Sequence, residues 1–208
     1  MKINEIFSSI QGEGPYSGTP ATFIRVTGCV QPYCKFCDTA YSWKEGKDMP
    51  LEEIMEEVKY LPSKFVVVTG GEPYAAEGIY ELLNALMRGG YATQTETSGK
   101  APVDVVTGTT IVCSPKWYDD GFVVTDSALK NATYFKFVVG NDKDFRRAKK
   151  FILDNKLRPS GCYLMPLSTF DEEKDREIRK TVWDHCVRNN INYSPRLHVE
   201  VFGKKRGV

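Results

Sequence analysis

Short apolar, β-branched runs alternate along the chain with longer stretches in which apolar positions recur at helical spacing. "ATFIRVTG" (21–28) predicts a strand, "LEEIMEEVKYL" (51–61) an amphipathic helix, and "KFVVVTGG" (64–71) a buried strand ending in glycines. "EGIYELLNALMRGG" (77–90) predicts a helix closed by glycine. "YATQTETSG", "TTIVCSP" and "ATYFKFVVG" give three more strands, the last leading into the charged helix "DKDFRRAKKFILDN" (142–155). A strand at "GCYLMPL" (161–167) and a helix at "FDEEKDREIRKTVWDHCVRNN" (170–190) follow, and "YSPRLHVEVFG" (193–203) reads as an extended segment.

Such alternation predicts an α/β fold of parallel βαβ units with right-handed crossovers, in one domain over residues 1–208. In sheets and barrels of this kind ligands gather at the carboxyl ends of the strands. The most unusual peptides all sit there: "GCVQPYCKFC" after the first predicted strand, then "TGGEP", "ETSG", "SPK" and "MPLS" at later ones.

Composition removes some classes of function. A hydrophobic content of 41% with 26% charged residues belongs to a globular, soluble chain. A formal net charge of +1 gives no basis for nucleic acid or an anionic membrane as a partner. Neither a signal peptide nor a membrane-length apolar run is visible, so a cytoplasmic location with reduced thiols is expected. Cys113, Cys162 and Cys186 are scattered and read as core residues.

Cys29, Cys34 and Cys37 differ, because they lie within nine positions and no further cysteine or histidine is near. Structural zinc takes four protein ligands, so a zinc site here needs a distant one. In an iron–sulfur cubane each iron takes one thiolate, and three thiolates leave one iron open to a substrate or cofactor.

A cysteine triad following a strand, with Phe36 directly before its last cysteine, resembles the radical S-adenosylmethionine superfamily. "GGEP" (70–73) resembles that superfamily's glycine-rich strand end, where backbone meets the cofactor's amino group; by itself it also reads as a tight turn. The usual spacing is Cys-x₃-Cys-x₂-Cys, whereas four residues including Pro32 separate Cys29 from Cys34 here. The resemblance implies a [4Fe–4S] cluster on the three cysteines, with S-adenosylmethionine chelated by the free iron and cleaved to a 5′-deoxyadenosyl radical.

"IQGEG" (10–14), "FIRVTGC" (23–29), "CDTAYSW" (37–43), "TGGEP" (69–73), "ETSG" (96–99), "SPK" (114–116), "KFVV" (136–139) and "RLHVEVFGKKRGV" together resemble the 7-carboxy-7-deazaguanine synthase family. That family contracts the ring of 6-carboxy-5,6,7,8-tetrahydropterin, releasing ammonia, on the way to queuosine and other deazapurines. The implied fold is an incomplete, abbreviated parallel β/α barrel.

The implied roles fall on numbered residues. Thr39 would bind a magnesium ion that orients the substrate carboxylate, or else cap a helix. Arg25 would grip that carboxylate, or else form an ordinary salt bridge. Ile10, Gln11 and Gly12 would bring backbone to a flat heterocycle, and Glu13 would accept its N–H groups or satisfy loop amides. Thr69 and His198 would touch substrate, as would the Val208 carboxylate if "KKRGV" folds inward instead of lying solvated; His198 also reads as a packed histidine. Gly71, Glu96, Ser114, Pro115, Lys116, Met165, Pro166 and Ser168 would line S-adenosylmethionine, with an exposed Lys116 as the alternative. Ser98 and Met165 stand where the family often has asparagine and glutamine. A flavodoxin-like or ferredoxin-like reductant and a homodimer complete the implied partners. Two rivals share the triad: an activase of a glycyl-radical protein, and a non-enzymatic iron–sulfur or zinc-binding module.

Overall fold

The structure is a computed structural model that describes residues 1–34 and 37–208, so the expectation attached to Phe36 lies outside the described residues. The strands are β1 (Lys2–Ile10), β2 (Pro20–Val26), β3 (Lys47–Asp48), β4 (Phe65–Gly70), β5 (Ala92–Thr97) and β6 (Thr109–Cys113), then β7 (Lys116–Tyr118), β8 (Gly121–Val123), β9 (Tyr134–Val139), β10 (Cys162–Pro166) and β11 (Asn192–Tyr193). The helices are α1 (Leu51–Lys59), α2 (Ile79–Arg88), α3 (Asp126–Asn131), α4 (Asp142–Asp154), α5 (Glu172–Asn189) and α6 (Leu197–Phe202). The main sheet runs β11-β10-β9-β6-β5-β4-β2-β1-β3, and β7 with β8 forms a separate hairpin. Across the main sheet from β2 to β11 every pairing is parallel, as expected for βαβ units, whereas the β7–β8 hairpin is antiparallel.

Two features correct the sequence expectation. An N-terminal strand, β1, precedes the first predicted one and pairs antiparallel with β2, so the cysteine loop follows the second strand. The segment expected to be extended at 193–203 is instead a two-residue strand followed by helix α6. Leu197 N–H donates to Gly12 O at 3.1 Å, so this contact anchors the start of the helix despite its strand-favouring Val199, Val201 and Phe202.

Alternation within the strands sorts side chains between two environments. On β9, Phe135 and Phe137 join a core with Leu164, Val182 and Phe145 beneath α4 and α5, while Lys136 points the other way. A second core joins Ile24, Val66 and Val68 of the sheet to Leu82, Leu83 and Leu86 of α2. Each of those fully buried leucines contributes about 1.5–3 kcal/mol. The sheet is open, and loops bridge its edges. The connection after β1 reaches the segment after β11, where Gly14 N–H donates to Ser194 Oγ at 2.8 Å. Tyr16 in that connection crosses the amino ends of the strands, touching Phe65 edge-on at 5.1 Å between ring centroids and Thr110 at 3.2 Å.

The carboxyl ends carry the glycine-rich turns. A Cβ on Gly71 would lie 1.6 Å from Gly28 O, so the turn after β4 packs directly on the start of the cysteine loop. Gly71→Ala is expected to cost about 3 kcal/mol or more, because backbone and not a flexible side chain must yield. For a chain of this size that is a Tm lower by about 6–12 °C in thermal unfolding; an unchanged Tm would exclude this packing.

Candidate active site

The loop after β2 places Cys29, Cys34 and Cys37, all free and half-buried, on the wall of one cavity of about 390 Å³. Gly28 N–H donates to Ser42 O at 2.9 Å, and Tyr33 stacks on Trp43 at 4.2 Å, which tie the loop to the short 3₁₀ turn Ala40–Trp43. Burial raises the thiol pKa of Cys29 and Cys37. Among the described residues no three Cys, His, Asp or Glu side chains converge on a position for one ion. A cubane makes no such demand, since each of its irons takes a separate thiolate. Three thiols on one wall, without a histidine beside them, fit a cluster with one open iron. Cys113, Cys162 and Cys186 are buried in the core as expected.

The same wall holds most of the residues assigned to S-adenosylmethionine: Gly71, Glu96, Ser114, Lys116, Met165 and Ser168. Pro115 is buried and is not on this wall, and Pro166 faces an outer cavity of about 520 Å³ that shares Leu167, Ser168 and Phe170 with it. Lys116 is not the exposed lysine of the alternative reading. Its Nζ donates to Ser114 O at 2.9 Å and to Ser114 Oγ, and burial lowers its pKa. Gly71 lacks a Cβ because Gly28 occupies that space, a reason internal to the chain.

Glu72, absent from the sequence assignment, is fully buried and holds two motifs together. Its carboxylate accepts from Thr97 Oγ1 at 2.6 Å, from Ser98 N at 2.9 Å and from Ser98 Oγ. Thus "GGEP" and "ETSG" are one hydrogen-bonded unit across the ends of β4 and β5, and Ser98 supplies the donor at the position the family often gives to asparagine. The adjacency of the two motifs at neighbouring strand ends was the available signal.

A smaller cavity of about 180 Å³ adjoins the first, with Glu13, Asp38, Thr39, Gly70 and Glu96 on both walls. It gathers Ile10, Gln11, Gly12, Arg25, Thr69, His198 and Val208, the remaining residues assigned to substrate. The seam between the cavities is ionic. Lys136 Nζ, almost fully buried, donates to Glu13 Oε2 at 2.7 Å and to Glu96 Oε2 at 2.8 Å. Arg196 bridges Glu13 Oε1 at 3.1 Å and Asp38 Oδ2. Gln11 and Gln94 amides donate to Glu96 Oε1 at 3.3 and 2.7 Å. Burial alone would raise the pKa of Glu13, but Lys136, Arg196 and His198 outweigh it and hold the carboxyl far below its usual range. Burial prevails at Glu96, helped by the neighbouring Glu13 charge, and its pKa rises. Lys136 is driven up by its two carboxylates against the pull of burial. Glu13 therefore serves an ion network, not loop amides. Lys136, Arg196 and Asp38 were missed because their partners are remote in sequence.

Arg25 is salt-bridged to Glu5 at 2.7 Å, and Glu5 also accepts from Tyr41 OH at 3.1 Å. Thr39 makes no capping bond, so its hydroxyl is not a helix cap; it donates to Asp38 Oδ1 at 2.8 Å. Hydroxyl and carboxylate oxygens side by side suit a hard divalent cation such as magnesium. His198 is a packed histidine as well as a wall residue. A Cβ on Gly12 would lie 2.5 Å from its Nδ1, and burial lowers the imidazole pKa. The tail folds back: Arg206 covers the Tyr41 ring at 3.4 Å and pairs with Glu45 at 3.0 Å, bringing Val208 to the smaller cavity.

The chain is similar to known proteins over most of its length. Residues 23–108 match the Radical SAM superfamily. A 7-carboxy-7-deazaguanine synthase of Pyrobaculum aerophilum is 36% identical over 218 residues, covering 100% of this chain and 97% of its own. The Escherichia coli enzyme of the same name is 30% identical over 222 residues, covering 94% and 96%. The crystal structure of QueE from Escherichia coli superposes with a TM-score of 0.81 at 27% identity, over 93% of this chain and 92% of that one.

Proposed function

The chain belongs to the 7-carboxy-7-deazaguanine synthase family, and on that premise we propose that it converts 6-carboxy-5,6,7,8-tetrahydropterin to 7-carboxy-7-deazaguanine with release of ammonia. One observation carries the proposal: the three-cysteine wall and a second, heterocycle-sized cavity meet at Glu13 and Glu96. A [4Fe–4S] cluster with S-adenosylmethionine bound beside it would supply radical chemistry there. The chain's own groups bind and orient. Cys29, Cys34 and Cys37 would hold the cluster, while Gly71, Glu96, Ser114, Lys116 and Met165 line the space beside them. In the smaller cavity, Glu13 stays ionised and accepts N–H groups of the pterin, together with backbone at Ile10, Gln11 and Gly12. Thr39 and Asp38 would provide oxygen ligands for magnesium at the seam, and Arg25, held by Glu5 through its Nε, lines the same cavity and would meet the pterin carboxylate with its remaining N–H groups.

A small cavity lined by several convergent polar groups suits a flat small molecule better than a protein loop, which favours the synthase over an activase. No helix among the described residues is long and apolar enough to cross a membrane. On the family resemblance, we assign one domain, a cytoplasmic location, a flavodoxin-like or ferredoxin-like electron donor and a homodimer.

The test is an anaerobic assay of reconstituted protein with dithionite, S-adenosylmethionine, magnesium and the carboxypterin, read by mass spectrometry. The expected product is 7-carboxy-7-deazaguanine. Formation of 5′-deoxyadenosine alone would remove the substrate assignment. Formation of neither, from protein with a verified cluster, would remove the enzyme assignment.

A further inference from the structure

Lys100 is only 8% exposed, yet its three hydrogen-bond acceptors among the described residues are all neutral. Its ammonium, just after the "ETSG" turn, donates to Val30 O, to Pro32 O at 2.8 Å and to Tyr118 OH at 3.2 Å. Both carbonyls belong to the lengthened stretch between Cys29 and Cys34. A buried cation without an anionic partner is costly, and here it faces the cavity wall that carries three potential thiolates.

Tyr118 on β7 completes the geometry. Its hydroxyl lies 3.3 Å from Cys34 Sγ. An ammonium only donates, so the phenol oxygen accepts from Lys100 and its own hydrogen is left for the sulfur. The chain Lys100 Nζ–H···O–H···Sγ thus delivers one hydrogen bond and the influence of one positive charge to a single cysteine. Hydrogen bonds to ligating sulfurs and nearby charge are two of the levers that set an iron–sulfur potential.

We propose that Lys100 and Tyr118 are positioning residues for the cysteine loop: Lys100 clamps the extra residue of the Cys29–Cys34 spacer, and Tyr118 hydrogen-bonds Cys34 to raise the electron affinity of the group those cysteines hold. This rests on the cluster assignment above. The extra negative charge of the reduced state is stabilised by both groups, so removing either favours the oxidised state.

The experiment is a reductive titration of anaerobically reconstituted protein followed by electron paramagnetic resonance, with iron content measured in parallel. Tyr118→Phe keeps the ring and deletes only the hydroxyl; Lys100→Met keeps the stem and deletes the charge. Each is expected to lower the reduced-to-oxidised ratio at a fixed potential about tenfold, which is about 59 mV for a one-electron couple. A structural defect alone would lower iron content without moving the midpoint of what remains. An iron-loaded Tyr118→Phe protein with the wild-type midpoint overturns the proposal, whatever Lys100→Met does. If the unaltered protein holds no reducible cluster, the cluster assignment falls and this proposal with it; if it titrates and both variants match it, this proposal alone falls.

Discussion

Replacing Cys37 with alanine is expected to abolish 5′-deoxyadenosine formation while leaving the fold intact. Cys37 is half-buried on a loop, its sulfur serves no core, and its neighbours Ser42 and Thr39 are tied to each other through backbone at 2.9 Å. The loss should far exceed the roughly 10–100-fold that removal of an outer-shell partner costs at a metal site. Cys29→Ala and Cys34→Ala should behave alike, because in the proposed cluster each thiolate would serve one iron. Cys186→Ala is the contrasting control: that thiol is on the buried face of α5, so the variant should lose stability but keep its iron. Iron content, circular dichroism and deoxyadenosine yield measured together separate these outcomes. Wild-type iron in the Cys37 variant would refute the ligand assignment.

Lys136→Met should give the largest loss of stability, about 3–5 kcal/mol, because it takes the shared cation from two largely buried carboxylates, leaving Glu96 to its amide donors and Glu13 to Arg196. Burial, not distance, decides this. Lys150 lies equally close to Asp154, 2.7 Å, but its side chain is 76% exposed, and Lys150→Met should cost only about 0–1 kcal/mol. The pH dependence follows from the same charges. Glu13 has a folded pKa depressed below 4.5, so its contribution is present above that value and is lost as pH falls beneath it. Removing Lys136 removes the cation 2.7 Å from Glu13, nearer than Arg196 at 3.1 Å. Urea unfolding should therefore show the gap between wild type and variant shrinking below pH 4.5. A gap of under 1 kcal/mol at neutral pH, the range of an exposed pair, would mean that the ionic seam does not stabilise the fold.

Much of the architecture was legible because it is local. Helix α1 was expected at 51–61 and spans Leu51–Lys59; α4 was expected at 142–155 and spans Asp142–Asp154. Periodicity and glycine stops carry that information. Strand β1 was not legible: only one of its nine residues, Ile3, is buried, so "KINEIFSSI" lacks the apolar density of its parallel neighbours. Helix α6 was misread because "LHVEVF" alternates like a strand, and only contacts with Gly12 and Glu13 decide otherwise. The cysteines and glycine turns of the site could be read from spacing. The ionic seam could not, since Lys136 hides inside an apolar strand and meets Glu13 across 123 residues of sequence.

The bridging of the open sheet by loops bears on when the cavities can exist. Gly14 bonds Ser194 across 180 residues, and Arg196 reaches Glu13 across 183. During synthesis the parallel strands and their helices can assemble as they emerge, but Glu13 waits for Arg196, and the smaller cavity waits for residues 198–208. Closing so long a loop adds only about 0.6 kcal/mol for each doubling of its length, so the delay is one of order more than of equilibrium cost. The smaller cavity forms late, on a sheet that is by then largely in place.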